Sequence, residues 1–109
     1  MGYISTKSSL SAPQRRLLET MQRLNFGRIE NLTIVQGEPT FDPPPRLIQD
    51  VKLGGGENGA RPELARDDFA LKTQVVEMFD HLSRLGDGLV AAIHVAHGLP
   101  CRLTIEQPA

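Results

Sequence analysis

The chain has 109 residues, of which 39 % are apolar, and a net charge of −1, which is the size and composition of one small globular domain. This near-neutral charge provides no general means of binding nucleic acid through phosphates, and no apolar run approaches the roughly 20 residues that span a bilayer. The single cysteine excludes an internal disulfide and fits a reducing compartment. Because the chain also begins without an apolar signal segment, we expect a cytoplasmic protein.

The first predicted element is a helix that begins at Ser11. Ser11 can cap this helix, and Gln14 can reach back to complete a capping box. The segment Asn25–Gly27 ends it and leads into a β-branched run. One apolar stripe at helical spacing follows the cap, formed by Leu17, Leu18, Met21 and Leu24.

A second strand is predicted at Arg46–Leu53, after a long connection from Gln36 to Pro45. The arm Phe41–Pro45 (FDPPP) in this connection contains three prolines without backbone donors, so we expect it to protrude or lie flat instead of pairing. Leu47, Val51 and Leu53 are expected to share one face of the strand.

The linker Gly54–Arg66 separates this half of the chain from the next. Its first six residues satisfy the pattern G-x-G-x-x-G. A dinucleotide site would need a helix to open within the motif, whereas Pro62 and several other residues intervene here. We therefore interpret the segment as a flexible crossover.

The second half of the chain repeats the order of the first. A helix is predicted to start near Asp67 or Asp68 and to end at Gly86–Gly88. A β-branched run follows, and a last strand covers Arg102–Glu106. A loop with an odd number of residues, such as His97–Leu99, would place Cys101 on the core side opposite Val95. It would place His94 on the other side, beside Arg102. The predicted apolar stripe of the helix comprises Val75, Met78, Phe79, Leu82 and Leu85.

The two halves match without gaps when residue i is placed on residue i+61. Gly27 falls on Gly88, Gly37 on Gly98 and Pro39 on Pro100, and these residue types mark special backbone positions. We interpret the match as an internal duplication. The predicted fold is a single α+β domain over residues 1–109, made of two αββ repeats (about 11–53 and 67–107). It is a two-layer sandwich with a four-stranded, mainly antiparallel sheet and both helices on one face, related by pseudo-twofold symmetry.

His94, His97 and Cys101 suggest a metal or Cys–His site, but the pattern does not support one. On a strand, His94 and His97 would point to opposite faces, and two ligands are too few for a closed zinc site. A buried, unreactive Cys101 is the simpler interpretation. We assign no catalytic, cofactor-binding or metal-binding residues, and expect no cofactor.

The segment LNFGRIENLTIVQGEPTFDPPPRLIQDVKL, about a third of the chain, resembles a known family. The pattern is Phe-Gly after a helix, a strand, a Gly-containing turn, and a closing strand that ends in a basic–aliphatic pair. It is similar to the small YezD-like bacterial family of unknown function. The resemblance implies a compact αββ unit with no established activity and no catalytic residues, so this chain would be a fused pair of such units. The duplication and the Phe41–Pro45 arm depart from the family. The matching residues are Phe26, Gly27, Ile29, Leu32, Ile34, Gly37, Lys52 and Leu53.

The leading functional hypothesis is a non-catalytic interaction or regulatory module. The sheet face away from the helices is expected to bind an acidic protein partner or a second copy of the chain. Its candidate residues are Lys52, Ala92, His94 and Arg102, with Val90 nearby on the same face. Two alternatives remain open. One is an enzyme or ligand-binding protein with its site near His94, Arg102 and the Phe41–Pro45 arm. The other is a nucleic-acid binder that uses basic residues near the first helix, although few aromatic residues are present for base stacking.

Overall fold

The computed structural model describes residues 10–54 and 73–107. Within these residues, two helices pack on one face of an open antiparallel sheet of five strands, which confirms the α+β class and the two-layer arrangement. The sheet has one strand more than predicted. Most of the linker and the predicted start of the second helix near Asp67 lie outside the described residues. The elements are α1 (Ala12–Leu24), β1 (Gly27–Val35), β2 (Glu38–Thr40), β3 (Arg46–Gln49), α2 (Thr73–Leu85), β4 (Gly88–Ala96) and β5 (Leu99–Glu106).

Helix α1 begins with the capping box that the sequence predicts. The backbone N–H of Gln14 donates to the Ser11 hydroxyl (3.3 Å), and the backbone N–H of Ser11 donates to the Gln14 side-chain oxygen (2.9 Å). Asn25, with a φ of 66°, ends the helix and donates its N–H to the Met21 carbonyl. The predicted apolar stripe is buried against the sheet.

Strands β1 and β4 are antiparallel neighbours at the centre of the sheet. Strand β5 forms one edge, and β2 and β3 share the other edge beside β1. One apolar core fills the space between the sheet and both helices. Its fully buried members include Leu17, Leu18, Met21, Phe79 and Leu82 from the helices and Ile29, Leu32, Ile34, Val90 and Ile93 from the strands.

Both central strands depart from strict alternation. Ile29 and Leu32 are both buried although they are three residues apart, because Asn31 between them adopts a φ of 61°. In β4, the pairing with β5 shifts between Val90 and Ala92, and Val90 and Ile93 are both buried. The expectation that Val90 lies on the open side of the sheet is therefore wrong, because an irregularity in the strand turns it into the core.

The hairpins are tighter than predicted. Strand β1 reaches β2 through the two-residue turn Gln36-Gly37, and β4 reaches β5 through His97-Gly98. All four residues have positive φ, as a type I′ turn requires. Two predictions are therefore wrong: the long connection from Gln36 to Pro45 in the first hairpin, and the loop with an odd number of residues in the second. The predicted pairs Ile93–Leu103 and His94–Arg102 are nevertheless present.

The position of Cys101 follows from this tighter turn. Val95 pairs with Pro100 and His94 pairs with Arg102, so Cys101 is an extra residue in β5 without a partner in the register. Its side chain is exposed, and its thiol donates to the His94 carbonyl oxygen at 3.4 Å. The expectation of a buried Cys101 is wrong for this reason.

Strand β3 is shorter than the predicted strand Arg46–Leu53. It pairs with β1 only as far as Gln49, and the chain then leaves the sheet. The prediction that Leu47, Val51 and Leu53 share one face of this strand is wrong, because Val51 and Leu53 lie beyond its end. The three side chains are 55 %, 53 % and 87 % exposed.

Backbone features recur at an offset of 61 residues. α1 and α2 end at Leu24 and Leu85, β1 and β4 begin at Gly27 and Gly88, and β2 and β5 begin at Glu38 and Leu99. The connections between the halves correspond as well. The N–H of Gly37 donates to the Gly86 carbonyl (2.7 Å), and the N–H of Gly98 donates to the Asn25 carbonyl (2.9 Å). Each half thus places its turn against the end of the helix from the other half.

Candidate interaction surface

The sheet face opposite the helices is called the open face below. Arg28 and Glu30 flank the buried Ile29 on β1, and their register partners on β4 are His94 and Ala92. Because side chains alternate along a strand, these residues project away from the core. The open face comprises Arg28, Glu30, Ala92, His94, Arg102 and Thr104, together with Arg46 and Ile48 of β3.

Two cross-strand rows organise this face. Arg28, His94 and Arg102 are direct register partners on three adjacent strands, β1, β4 and β5. Since neighbouring strands lie about 4.8 Å apart, this row places two guanidinium groups and an imidazole across roughly 10 Å of surface. Arg46, Glu30, Ala92 and Thr104 form the adjacent row.

Glu30 forms ion pairs with two arginines on the open face. Its carboxylate lies 2.7 Å from Arg28 Nε and 3.7 Å from Arg46 Nη1. The hydrogen bond from Arg28 is the main cause that lowers the pKa of Glu30, and the same bond raises the pKa of Arg28. Attraction from Arg46 and His94 lowers the Glu30 pKa further, while desolvation opposes it.

Positive charge exceeds negative charge on the open face. Arg28 and Arg46 lie beside the Glu30 carboxylate, and the Asp50 carboxylate also attracts Arg28. Arg102 lies two strands away from Glu30, on β5. Arg102 makes no ion pair with any residue that the structure describes. The next carboxylate along β5, Glu106, is four residues from Arg102, or about 13 Å at the spacing of an extended strand.

The structure brings together three of the four predicted partner-binding residues. Ala92, His94 and Arg102 lie on adjacent positions of the open face. Lys52 does not join them, because it follows β3 after the chain has left the sheet. Sequence reasoning missed Arg28 and Arg46. Their alternation with apolar residues was visible in the sequence, but only the strand order places them beside His94 and Glu30.

The Phe41–Pro45 arm lies far from Arg102 in the topology. It joins β2 to β3 at one edge of the sheet, whereas Arg102 lies on β5 at the opposite edge. Phe41 is partly buried against the core, and the Arg16 guanidinium sits 4.1 Å from its ring centroid. The structure therefore does not gather the arm, His94 and Arg102 into one site.

The His94–His97 pair does not form a site in this structure. His97 is in the exposed turn, with its ring edge-on to Phe26 at a centroid distance of 4.8 Å. His94 belongs to the open face on β4. Among residues 10–54 and 73–107, no group of three or more His, Cys, Asp or Glu residues is arranged to hold a metal ion.

Comparison with protein-family models, curated proteins and solved structures gives no match to this chain. Neither helix in the described parts of the chain combines the length and apolar content needed to cross a membrane.

Proposed function

We propose that the protein is a non-catalytic interaction module whose open face binds an acidic segment of a partner protein. The observation that carries this proposal is the row of Arg28, His94 and Arg102 across three adjacent strands. Neither helix covers this side of the sheet. Ala92 contributes only a methyl group beside the row, so an extended segment can approach the backbone there.

Charge favours an acidic partner over a second copy of the chain. Two open faces brought together would oppose their arginine groups, and like charges in contact are unfavourable. A partner carboxylate would instead meet the guanidinium of Arg102, which has a planar array of donors suited to two parallel hydrogen bonds. Contacts of this kind weaken with salt, because exposed charges are screened over about 8 Å at physiological ionic strength.

Titration with peptides of hexaglutamate and hexaglutamine tests this proposal by amide chemical shifts. We expect hexaglutamate to shift the amides of Ala92, His94 and Arg102, and added salt to weaken the effect. Hexaglutamine should shift none of them.

Charge reversal supplies the matched control. Arg102→Glu should weaken hexaglutamate binding about 3- to 10-fold, since the change replaces the attraction of an exposed charge by a repulsion. Arg23→Glu makes the same charge change at an exposed position of α1 on the other side of the molecule. Equal weakening in the two variants would show a general charge effect and contradict the proposal.

We also propose that the chain arose by duplication of an αββ unit and has pseudo-twofold symmetry. The matched bounds, turns and reciprocal hydrogen bonds at an offset of 61 residues support this. We expect the Cα atoms of residues 17–40 to superpose on those of 78–101 within about 2 Å, as for one shared supersecondary unit. The resemblance of the first half to the YezD-like bacterial family, and a cytoplasmic location suggested by the single cysteine, belong to the same proposal.

A further inference from the structure

Strand β5 forms an edge of the sheet that is open to another strand. It pairs with β4 on one side, and on its other side it pairs with no strand within residues 10–54 and 73–107. The irregularity in β5 lies at Cys101, so the five residues Arg102–Glu106 continue beyond it without interruption. A regular edge of this kind presents backbone N–H and C=O groups with which a further strand can pair.

The side chains of Arg102–Glu106 differ between the two sides of the strand. Arg102, Thr104 and Glu106 are exposed and lie on the side of the open face, because side chains alternate along a strand. Leu103 and Ile105 lie on the helix side, where they are partly buried and pack against the core. The segment therefore has an incompletely covered apolar side, and a polar side with a cation at one end and an anion at the other.

The order of these side chains is complementary to itself in the antiparallel direction. When two copies of the segment are placed antiparallel with Thr104 opposite Thr104, Arg102 of each copy lies opposite Glu106 of the other. Leu103 of each copy then lies opposite Ile105 of the other, on the helix side. Directly opposite residues have Cβ atoms about 4.5–5.5 Å apart, so the opposite charges attract and the apolar side chains pack together.

Neighbouring registers do not pair the charges in this way. A register centred on Leu103 places Arg102 opposite Thr104, and one centred on Arg102 places the two guanidinium groups against each other. Within one copy, neither Arg102 nor Glu106 forms an ion pair with any residue that the structure describes. Since they are about 13 Å apart along their own strand, they cannot pair with each other, whereas a second copy supplies both partners at once.

We propose that the β5 edge binds a second copy of this chain, through an antiparallel pair of β5 strands centred on Thr104. The two sheets join edge to edge, so the two open faces lie side by side and their arginines are not pressed against each other. This goes beyond the acidic contact on the open face, because it uses the edge of the sheet. The Arg102 guanidinium carries five N–H donors, so a carboxylate of a bound segment can still approach it from the open face.

Disulfide cross-linking tests the register of this pair. Thr104→Cys, combined with Cys101→Ser, places the two introduced thiols directly opposite each other. It should form a linked dimer under mild oxidation, since linked cysteines have Cα atoms about 4.4–6.8 Å apart. The wild-type protein is the matched control, because Cys101 is an exposed thiol on the same strand. Cys101 lies three residues from the centre, so the two wild-type thiols are about 20 Å apart along the strands and should link at least about tenfold more slowly.

Charge exchange tests the ion pairs, with sedimentation velocity as the measure of self-association. We expect the wild type to associate with a Kd on the order of 100 μM, because a pair of five-residue segments falls below the about 1,200 Å² that stable interfaces bury. Arg102→Glu and Glu106→Arg each place like charges opposite each other twice. At about 3- to 10-fold for each exposed pair, either change should weaken association about 10- to 100-fold.

The two charge changes combined in one chain supply the rescue. Arg102→Glu with Glu106→Arg restores opposite charges across the interface and should return the Kd to within about threefold of the wild-type value. Arg23→Glu, an exposed charge change on α1, should leave association unchanged.

A wild-type protein that stays monomeric up to about 1 mM would overturn the proposal. So would an exchanged variant that associates as weakly as the single variants, or a Thr104→Cys protein that links no faster than the wild type. Glu106→Arg separates this proposal from the acidic contact on the open face, because it should lose self-association and keep hexaglutamate binding. Loss of hexaglutamate binding with intact self-association would contradict only the proposed function.

Discussion

Gly27 and Gly88 occupy corresponding positions in the two halves, but the structure gives them different roles. Gly27 has a φ of 147°, and a Cβ there would overlap the Ile48 carbonyl oxygen and lie 3.0 Å from the Gln49 Cα. Gly88 has no such backbone conformation, and its nearest neighbour would be the Leu85 side chain at 3.1 Å. We therefore expect Gly27→Ala to be far more destabilising than Gly88→Ala.

The loss of stability in Gly27→Ala has two separate contributions. Backbone strain at a φ that L residues rarely adopt costs about 1–3 kcal/mol and remains whatever the neighbours do. The overlap with Ile48 can be relieved only if β3 moves away from β1, which breaks ladder hydrogen bonds and the Asp50 N–H to Phe26 carbonyl bond of 2.9 Å. At about 0.5–1.5 kcal/mol for each bond, the total loss for Gly27→Ala is about 3 kcal/mol or more.

Urea unfolding followed by far-ultraviolet circular dichroism measures this difference. Gly88→Ala should change the free energy of unfolding by less than about 1 kcal/mol, because only a flexible leucine must shift. Hydrogen exchange adds a local measurement, and the Asp50 amide should lose protection in Gly27→Ala alone. Equal free energies of unfolding for the two variants would refute the contact between Gly27 and β3.

Three further predictions address the core, the thiol and the charge at the centre of the open face. Phe79→Ala should lower the free energy of unfolding by about 3–5 kcal/mol in the same urea experiment, whereas Leu53→Ala, at a position 87 % exposed, should change it by less than about 0.5 kcal/mol. Cys101 should react with a thiol probe at similar rates in native and denatured protein, because its side chain is exposed; strong protection in the native state would contradict its place at the irregularity in β5. The pKa of Glu30 is lowered by its hydrogen bond with Arg28, so its contribution to stability is present above its unfolded pKa of about 4.3 and is lost as the pH falls through the lower folded value. Between pH 5 and lower pH, the free energy of unfolding should consequently fall less for Glu30→Gln than for the wild type, as measured by urea unfolding at each pH. If the free energy of unfolding falls equally with pH in both proteins, this ion pair does not contribute.

Local rules predicted the helices well and the hairpins poorly. The capping box at Ser11 and Gln14 and the apolar stripe of α1 depend on residues three and four apart, so the sequence contains all the information that they need. Strict alternation along β5 predicts a three-residue loop, whereas the structure has the two-residue turn His97-Gly98. An extra residue at Cys101 restores the alternation after a two-residue turn, and nothing in the sequence alone marks it.

The sequence predicts only part of the open face, because the register within a hairpin is local whereas the order of distant strands is not. His94 and Arg102 lie in one hairpin, so their pairing follows from a local register. Arg28 joins them only because β1 pairs with β4, a contact between strands 66 residues apart in the pair Arg28–His94. Sequence alternation assigns a residue to a face, but strand order decides which residues of that face become neighbours.

The differences between the halves concern the two edges of the sheet. In the first half, the chain leaves the edge after Thr40, seats Phe41 beneath Arg16 and returns as β3, so that no long uninterrupted strand remains. In the second half, β5 continues for eight residues along β4 as a single edge strand. Exposed edges invite pairing with other chains, and proteins usually interrupt or cover them. Because the edge beside β1 is interrupted after Thr40 and β5 is not, β5 is the edge of the described sheet at which a partner strand could pair over the greater length.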